Sequence, residues 1–183
     1  QAALSAIRKL PFVDYVEPVI VQQDVSLLAG IGGCGWGSAW TGDRQYTSSG
    51  DVYSQRWTAM RIPEAWTLSS GAGVTVGLTD TGISANQAQL LSQFATGEST
   101  GRTVRLFYLT HLGSAYDTCG HGTRMAGIIA APRDGRSVGG VAWKSNLISV
   151  RQANGVAAVC ASDAAGSVRA AAQNGSQVVV MAW

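Results

Sequence analysis

Apolar and polar positions along the chain fall into two kinds of run that alternate. Val74 to Leu78 is short and mostly apolar, the length of a buried strand, and comparable runs recur at Thr103 to Leu109, Leu147 to Arg151 and Val178 to Met181. Between them lie segments with helical character: a short one near Pro63 to Leu68, then His121 to Ala131 and Ser162 to Gln173. Asn174-Gly175 is a stop for the last of these, because both residues tolerate a left-handed backbone. Strands alternating with helices predict an α/β fold with a mostly parallel sheet and right-handed crossovers. In such sheets chemistry gathers at the carboxyl ends of the strands.

Upstream the pattern changes twice. Leu4, Ile7 and Leu10 recur at helical spacing, Pro11 follows, and Val13 to Val21 reads as extended chain, so residues 1–23 form a unit too small to fold alone. Residues 24–53 turn to Gly, Ser, Thr and Asp, with a Gly-rich stretch from Gly30 to Gly37, the composition of an exposed linker. That stretch lacks the Gly-Lys-Ser/Thr ending of a phosphate loop. Residues 54–183 then hold the alternating pattern.

Composition narrows the class. With 183 residues, 46% of them apolar, the chain can bury a real core. Thirteen Lys and Arg against eleven Asp and Glu leave a formal charge of +2, spread without runs, so neither a nucleic-acid partner nor a membrane surface is expected. No apolar run approaches the roughly 18 residues of a membrane span. Cys34, Cys119 and Cys160 match no metal or redox spacing. One bridge plus one free thiol is the simplest arrangement, and three reduced, buried cysteines are the alternative.

Two segments carry candidate chemistry. In Val74-Thr75-Val76-Gly77-Leu78-Thr79-Asp80-Thr81-Gly82-Ile83 an acid closes an apolar strand and a glycine turn follows at once. A carboxylate there, held by turn amides, can fix an imidazole in one tautomer. For Asp-Thr-Gly alone, an aspartate that caps its own turn is the competing interpretation. In Cys119-Gly120-His121-Gly122-Thr123-Arg124-Met125-Ala126-Gly127-Ile128 a histidine stands between two glycines at the start of a small-residue helix. The glycines leave room around the ring, and Ala126, Gly127 and Ala130 let the helix lie close to a sheet. A histidine so placed can act as a base once a nearby carboxylate stabilises its charged form.

Together and in this order, the two segments resemble the aspartate and histidine motifs of the subtilase family. Ile62-Pro63-Glu64-Ala65-Trp66 with Gly71-Ala72-Gly73-Val74 is similar to the lead into that family's first core strand. Gly140-Val141-Ala142-Trp143 through Arg151, and Val178 to Trp183, are similar to later core strands, while Val13-Asp14-Tyr15-Val16-Glu17-Pro18 resembles the end of the inhibitory propeptide. The resemblance covers nearly the whole chain apart from the linker. It implies a subtilisin-like three-layer sandwich of which the N-terminal part is present, and a secreted serine endopeptidase acting on polypeptides. Asp80 would orient the imidazole and His121 would serve as general base and acid; no cofactor is required, and a structural calcium is compatible with the family. Gly155, Val156, Ala157 and Ala158 would line the cleft and pair with an extended substrate, although an ordinary strand-to-helix loop fits them too.

Departures from the family pattern are Arg124 and Met125 after Gly-His-Gly-Thr, Trp143 in place of a proline, and a long separation of Asp80 from His121 that a surface insertion within Asn86 to Asp117 would supply. The larger departure is the absence of a Gly-Thr-Ser-x-Ala-x-Pro segment, and with it the nucleophile. By itself the chain is expected to be inert. The apolar run to Trp183 is expected to be covered by downstream sequence or by a second chain carrying the rest of the domain. A pseudoprotease or binding module on the same scaffold is the main alternative. An aspartic protease, which would need a second Asp-Thr-Gly, and a metal site of Asp80, His111, Cys119 and His121 are more remote.

Overall fold

The computed structural model describes residues 44–46, 52–87, 99–133, 139–155 and 160–182. The propeptide-like unit, most of the linker, Cys34 and Val156 to Ala158 lie outside the described residues. Two short strands, β1 (Arg44–Tyr46) and β2 (Val52–Ser54), pair antiparallel within and at the end of the Gly/Ser-rich stretch, with Gln45 opposite Tyr53. Two short helices come next, α1 (Gln55–Ala59) and α2 (Ile62–Ala65), the second with Pro63 in its first turn, where a missing N–H does no harm.

Four parallel strands form the centre: β3 (Thr75–Asp80), β4 (Val104–Tyr108), β5 (Asn146–Arg151) and β6 (Val178–Met181), in spatial order β4-β5-β3-β6. β3 and β5 occupy the middle and are buried from their second residue onward, whereas β4 and β6 at the edges are only partly covered. Continuous apolar runs in the central strands result from burial on both faces. Two longer helices supply that burial, α3 (His121–Ala130) and α4 (Ala161–Gln173).

The two faces have separate cores. On one, Ala126 and Ala130 of α3 meet Val76, Leu78 and Leu147, with Met125 and Ile129 packed around them. On the other, Ala171 of α4 meets Ile148 and Val150, with Phe107 and Val179 alongside. Helix, sheet, helix is the three-layer arrangement that the subtilase resemblance implies, built on the parallel sheet that the alternating pattern predicts. Leu78, Leu147 and Ile148 are fully enclosed, each worth roughly 1.5–3 kcal/mol of burial.

The N-terminal helices are tied to this body by their tryptophans. The Trp57 indole N–H donates to the Gly139 carbonyl at 3.0 Å and that of Trp66 to Val141 at 2.9 Å. The Arg133 guanidinium lies over both the Trp66 and the Trp143 rings, 5.3 and 4.9 Å from their centroids. Among the described residues no helix is long and apolar enough to cross a membrane.

Candidate active site

Asp80 is the last residue of β3, at the carboxyl edge of the sheet and level with Arg151 at the end of β5. Only 2% of it is exposed. Its Oδ1 accepts the Thr81 backbone N–H at 2.7 Å, as an aspartate heading a turn does. Burial raises the carboxyl above its ordinary value, and the bonds from His121 and Thr81, with the charge of the imidazole, oppose that rise.

His121 is the first residue of α3 and reaches back across the edge to Asp80. Its Nδ1 lies 2.9 Å from Oδ1 and 3.0 Å from Oδ2. Because an ionised carboxylate only accepts, Nδ1 carries the proton and the lone pair of the neutral ring is left on Nε2. The His121 side chain is 22% exposed, and Nε2 has no hydrogen-bond partner among the described residues. A base with its far nitrogen fixed and its near nitrogen open is what proton abstraction from a hydroxyl requires.

The helix start depends on close backbone approach. Gly120, at φ 90°, turns the chain into α3 and offers no side chain to cap it. At Gly122 an added Cβ would lie 2.3 Å from the Gly82 carbonyl oxygen and 3.1 Å from Asp80 Oδ1. Gly122→Ala is therefore expected to push α3 off the β3 turn, destabilise the fold by about 1–3 kcal/mol in urea denaturation and open the Asp80–His121 bond.

Asp117 takes over the missing cap. Its Oδ1 accepts the N–H groups of Cys119 and Gly120, both at 2.8 Å, and the Thr81 hydroxyl at 2.9 Å. Its Oδ2 accepts the N–H and the hydroxyl of Thr123, at 3.0 and 2.5 Å. Thr81 Oγ1 in turn accepts the Gly122 N–H at 2.9 Å. Burial acts to raise the Asp117 carboxyl, but these donors outweigh it and hold the group below its ordinary value of 3.8. A depressed carboxyl stabilises the fold above its unfolded value and loses that contribution as pH falls through the folded one. The loss of Tm in Asp117→Asn is thus expected to be largest near neutral pH and to narrow below pH 3.8.

A buried aspartate bonded to a helix-opening histidine, on one edge of a parallel sheet, invites comparison with known proteins. The model of the subtilase family matches residues 71–183, which include both residues and the whole four-stranded sheet. The chain belongs to the subtilase family. It is similar to thermitase of Thermoactinomyces vulgaris, 25% identical over 138 residues, which span 73% of this chain and 47% of thermitase. Mycosin-4 of Mycobacterium tuberculosis is 38% identical over 95 residues, 51% of this chain and 19% of the mycosin. The crystal structure of MycP1 with its N-terminal propeptide removed is 28% identical, with a TM-score of 0.48 over 67% of this chain and 35% of that one. The chain thus spans about half the length of thermitase and about a fifth of the mycosin.

Within the subtilase domain, the other residues singled out in the sequence fall in different places. Gly155 lies just after β5 at the same edge as Asp80, and Val156, Ala157 and Ala158 lie outside the described residues. The remote four-residue metal set does not assemble: Cys119 is disulfide-bonded, His111 Nε2 lies 3.4 Å from Asp163, and His121 is bonded to Asp80. Among the described residues no three His, Cys, Asp or Glu side chains group to hold a metal. Asp80 faces an imidazole, and among the described residues no second carboxylate is bonded to it as an aspartic-protease pair would be. Cys160 is a free thiol. Of the departures after Thr123, Arg124 points to solvent and Met125 packs into the α3 core, so neither enters the site.

The sequence pattern did not single out Asp117 beyond marking the end of an insertion. A signal was present: an acid four residues ahead of a histidine that opens a helix, where the N-cap is a glycine and the first-turn N–H groups need acceptors.

Proposed function

We propose that the protein is a serine endopeptidase of the subtilisin type, in which this chain supplies the acid and the base of an Asp-His-Ser triad. The observation that carries this is the bond from His121 Nδ1 to both oxygens of buried Asp80, with Nε2 open. Asp80 holds the ring in the Nδ1–H tautomer and stabilises the imidazolium. His121 Nε2 takes the proton of a serine hydroxyl as the oxygen attacks the peptide carbonyl, then gives it to the departing amine. The ring, neutral again, then takes a proton from the water that attacks the acyl-enzyme and returns it to the serine oxygen as the acid product leaves.

The serine and the oxyanion asparagine are contributed by sequence outside these 183 residues, in cis or on a second chain, and the 183 residues alone are inactive. Coverage of only 47% of thermitase supports this. The substrate is a polypeptide, bound extended along Gly155 to Ala158. The reaction needs no cofactor, since every proton and bond it moves is handled by the triad. The bridged Cys119 supports work in an oxidising, extracellular setting.

Full-length protein, with the sequence that completes the domain, is expected to hydrolyse casein and to lose that activity to phenylmethylsulfonyl fluoride but not to pepstatin. Hydrolysis indifferent to the serine reagent would overturn the assignment. Folded full-length protein with no hydrolysis would select the pseudoprotease, the alternative favoured by the missing Gly-Thr-Ser segment.

A further inference from the structure

The Asp80–His121 bond joins two segments that are far apart in sequence, and a single bond to a surface-facing ring cannot by itself fix where α3 begins. A second set of contacts runs parallel to it. Thr81, the residue after Asp80, donates its hydroxyl to Asp117, and the same oxygen accepts from Gly122, the residue after His121. Asp117 also gathers the N–H groups of Cys119, Gly120 and Thr123, which bracket His121 on both sides. Thr123 Oγ1, bonded to Asp117 Oδ2, accepts the Ser84 N–H at 2.9 Å and so returns to the β3 turn. The Asp117 N–H donates to the Ile83 carbonyl at 3.0 Å, and Ile83 pairs with Tyr116 in an isolated parallel bridge.

We propose that Asp117, acting with Thr81, is a positioning residue for catalysis: it sets the place and angle of His121 relative to Asp80 without touching substrate. This rests on the assignment of His121 as the base. Each carboxylate oxygen of Asp117 accepts from donors on the segment carrying the base, and one also accepts from the segment carrying the acid. An amide cannot reproduce that. In Asp117→Asn one oxygen becomes an NH₂ donor facing N–H or O–H groups that already donate, so either the Thr123 pair or the Cys119, Gly120 and Thr81 set loses its acceptor. A shift of His121 by about 1 Å is enough to reduce turnover some 100-fold.

Arg151 holds the same loop from the other side, its Nη1 donating to the Ser114 carbonyl at 3.1 Å and its Nη2 to Thr118 Oγ1 at 3.2 Å. The loop from Ser114 to Gly120 is therefore fixed at its start by β5 and at its end by the β3 turn. Beside Asp80 itself, Asp117 is a second carboxylate at which the two catalytic segments meet.

The test uses full-length protein labelled with ¹⁵N in its histidine rings, the His121 signals being assigned by their absence in His121→Gln. In the parent, neutral His121 is expected to hold its proton on Nδ1. Asp117→Asn and Thr81→Val are each expected to move it toward a mixture with the Nε2–H tautomer and to lower kcat 10- to 100-fold with KM unchanged. The double variant should be no worse than the weaker single, because both break one network. A folded variant that keeps the Nδ1–H tautomer, whether or not kcat falls, would overturn the proposal, as would additive losses. Should Asp117→Asn fail to fold, Thr81→Val carries the same two outcomes. The ring signals are read without turnover, so a failure of the protease assignment leaves this result interpretable on its own.

Discussion

Replacing His121 with alanine is expected to lower kcat of the full-length protein about 10⁶-fold, some 8 kcal/mol of barrier, with KM changed little. The size comes from the geometry. Among the described residues His121 is the ring bonded to Asp80, and its open Nε2 is the base that the site offers to a serine proton. Without it the hydroxyl must attack while still protonated or lose its proton to water, and what remains is the contribution of substrate binding and oxyanion stabilisation. The readout is steady-state hydrolysis of a peptide substrate, with a thermal melt to show that the variant folds. His121 is partly exposed and its side chain is not part of either core, so Tm should change by only a few degrees. A loss of less than 100-fold in a folded variant would show that some other group serves as the base.

Asp80→Asn is the second large effect, about 10⁴-fold in kcat. An amide at this position can present its NH₂ to the ring, which stabilises the tautomer with the proton on Nε2 and removes the base. What makes the prediction specific to this fold is its stability arm. Burial raises the Asp80 carboxyl despite the bonds from His121 and Thr81. A carboxyl raised in the folded state contributes stability that is present below its unfolded value of 3.8 and lost as pH rises through the folded one, so at neutral pH the buried charge weighs against folding. Asp80→Asn is thus expected to lose activity without losing Tm at pH 7, and to become relatively less stable than the parent in acid. A turn aspartate with a purely structural role would behave in the opposite way, with Tm falling at neutral pH and activity falling with it. The two carboxylates of the site therefore have opposite signs: Asp117 stabilises the fold when ionised, and Asp80 is ionised for the reaction.

Much of this was legible in the order of residues, and the reasons are local. Asp80 and His121 stand out because each lies where one periodicity stops or starts: an apolar run ends on the acid, and a small-residue helix opens on the ring. The four core strands and both long helices lie within a residue or two of the positions the pattern indicates, since burial on both faces of β3 and β5 writes itself as an unbroken apolar run. The hairpin of β1 and β2 was invisible, because strands of three residues in a Gly- and Ser-rich stretch carry too little alternation to register. The five residues of α1 are equally short. The order β4-β5-β3-β6 could not be read from the chain, because succession along a sequence does not fix which strands lie side by side. Asp117 escaped for the same reason: its bond to Thr81 spans 36 positions, and only the folded chain brings the two together.

The central claim is that this chain carries the acid and base of a triad completed elsewhere. It is tested most directly by labelling with a fluorophosphonate, which forms a stable bond only with a serine activated by a working base. Full-length protein should label at one serine outside these 183 residues, His121→Ala should abolish that labelling in folded protein, and the 183-residue chain alone should not label. Labelling that survives the loss of His121, or full-length folded protein that never labels, would contradict it.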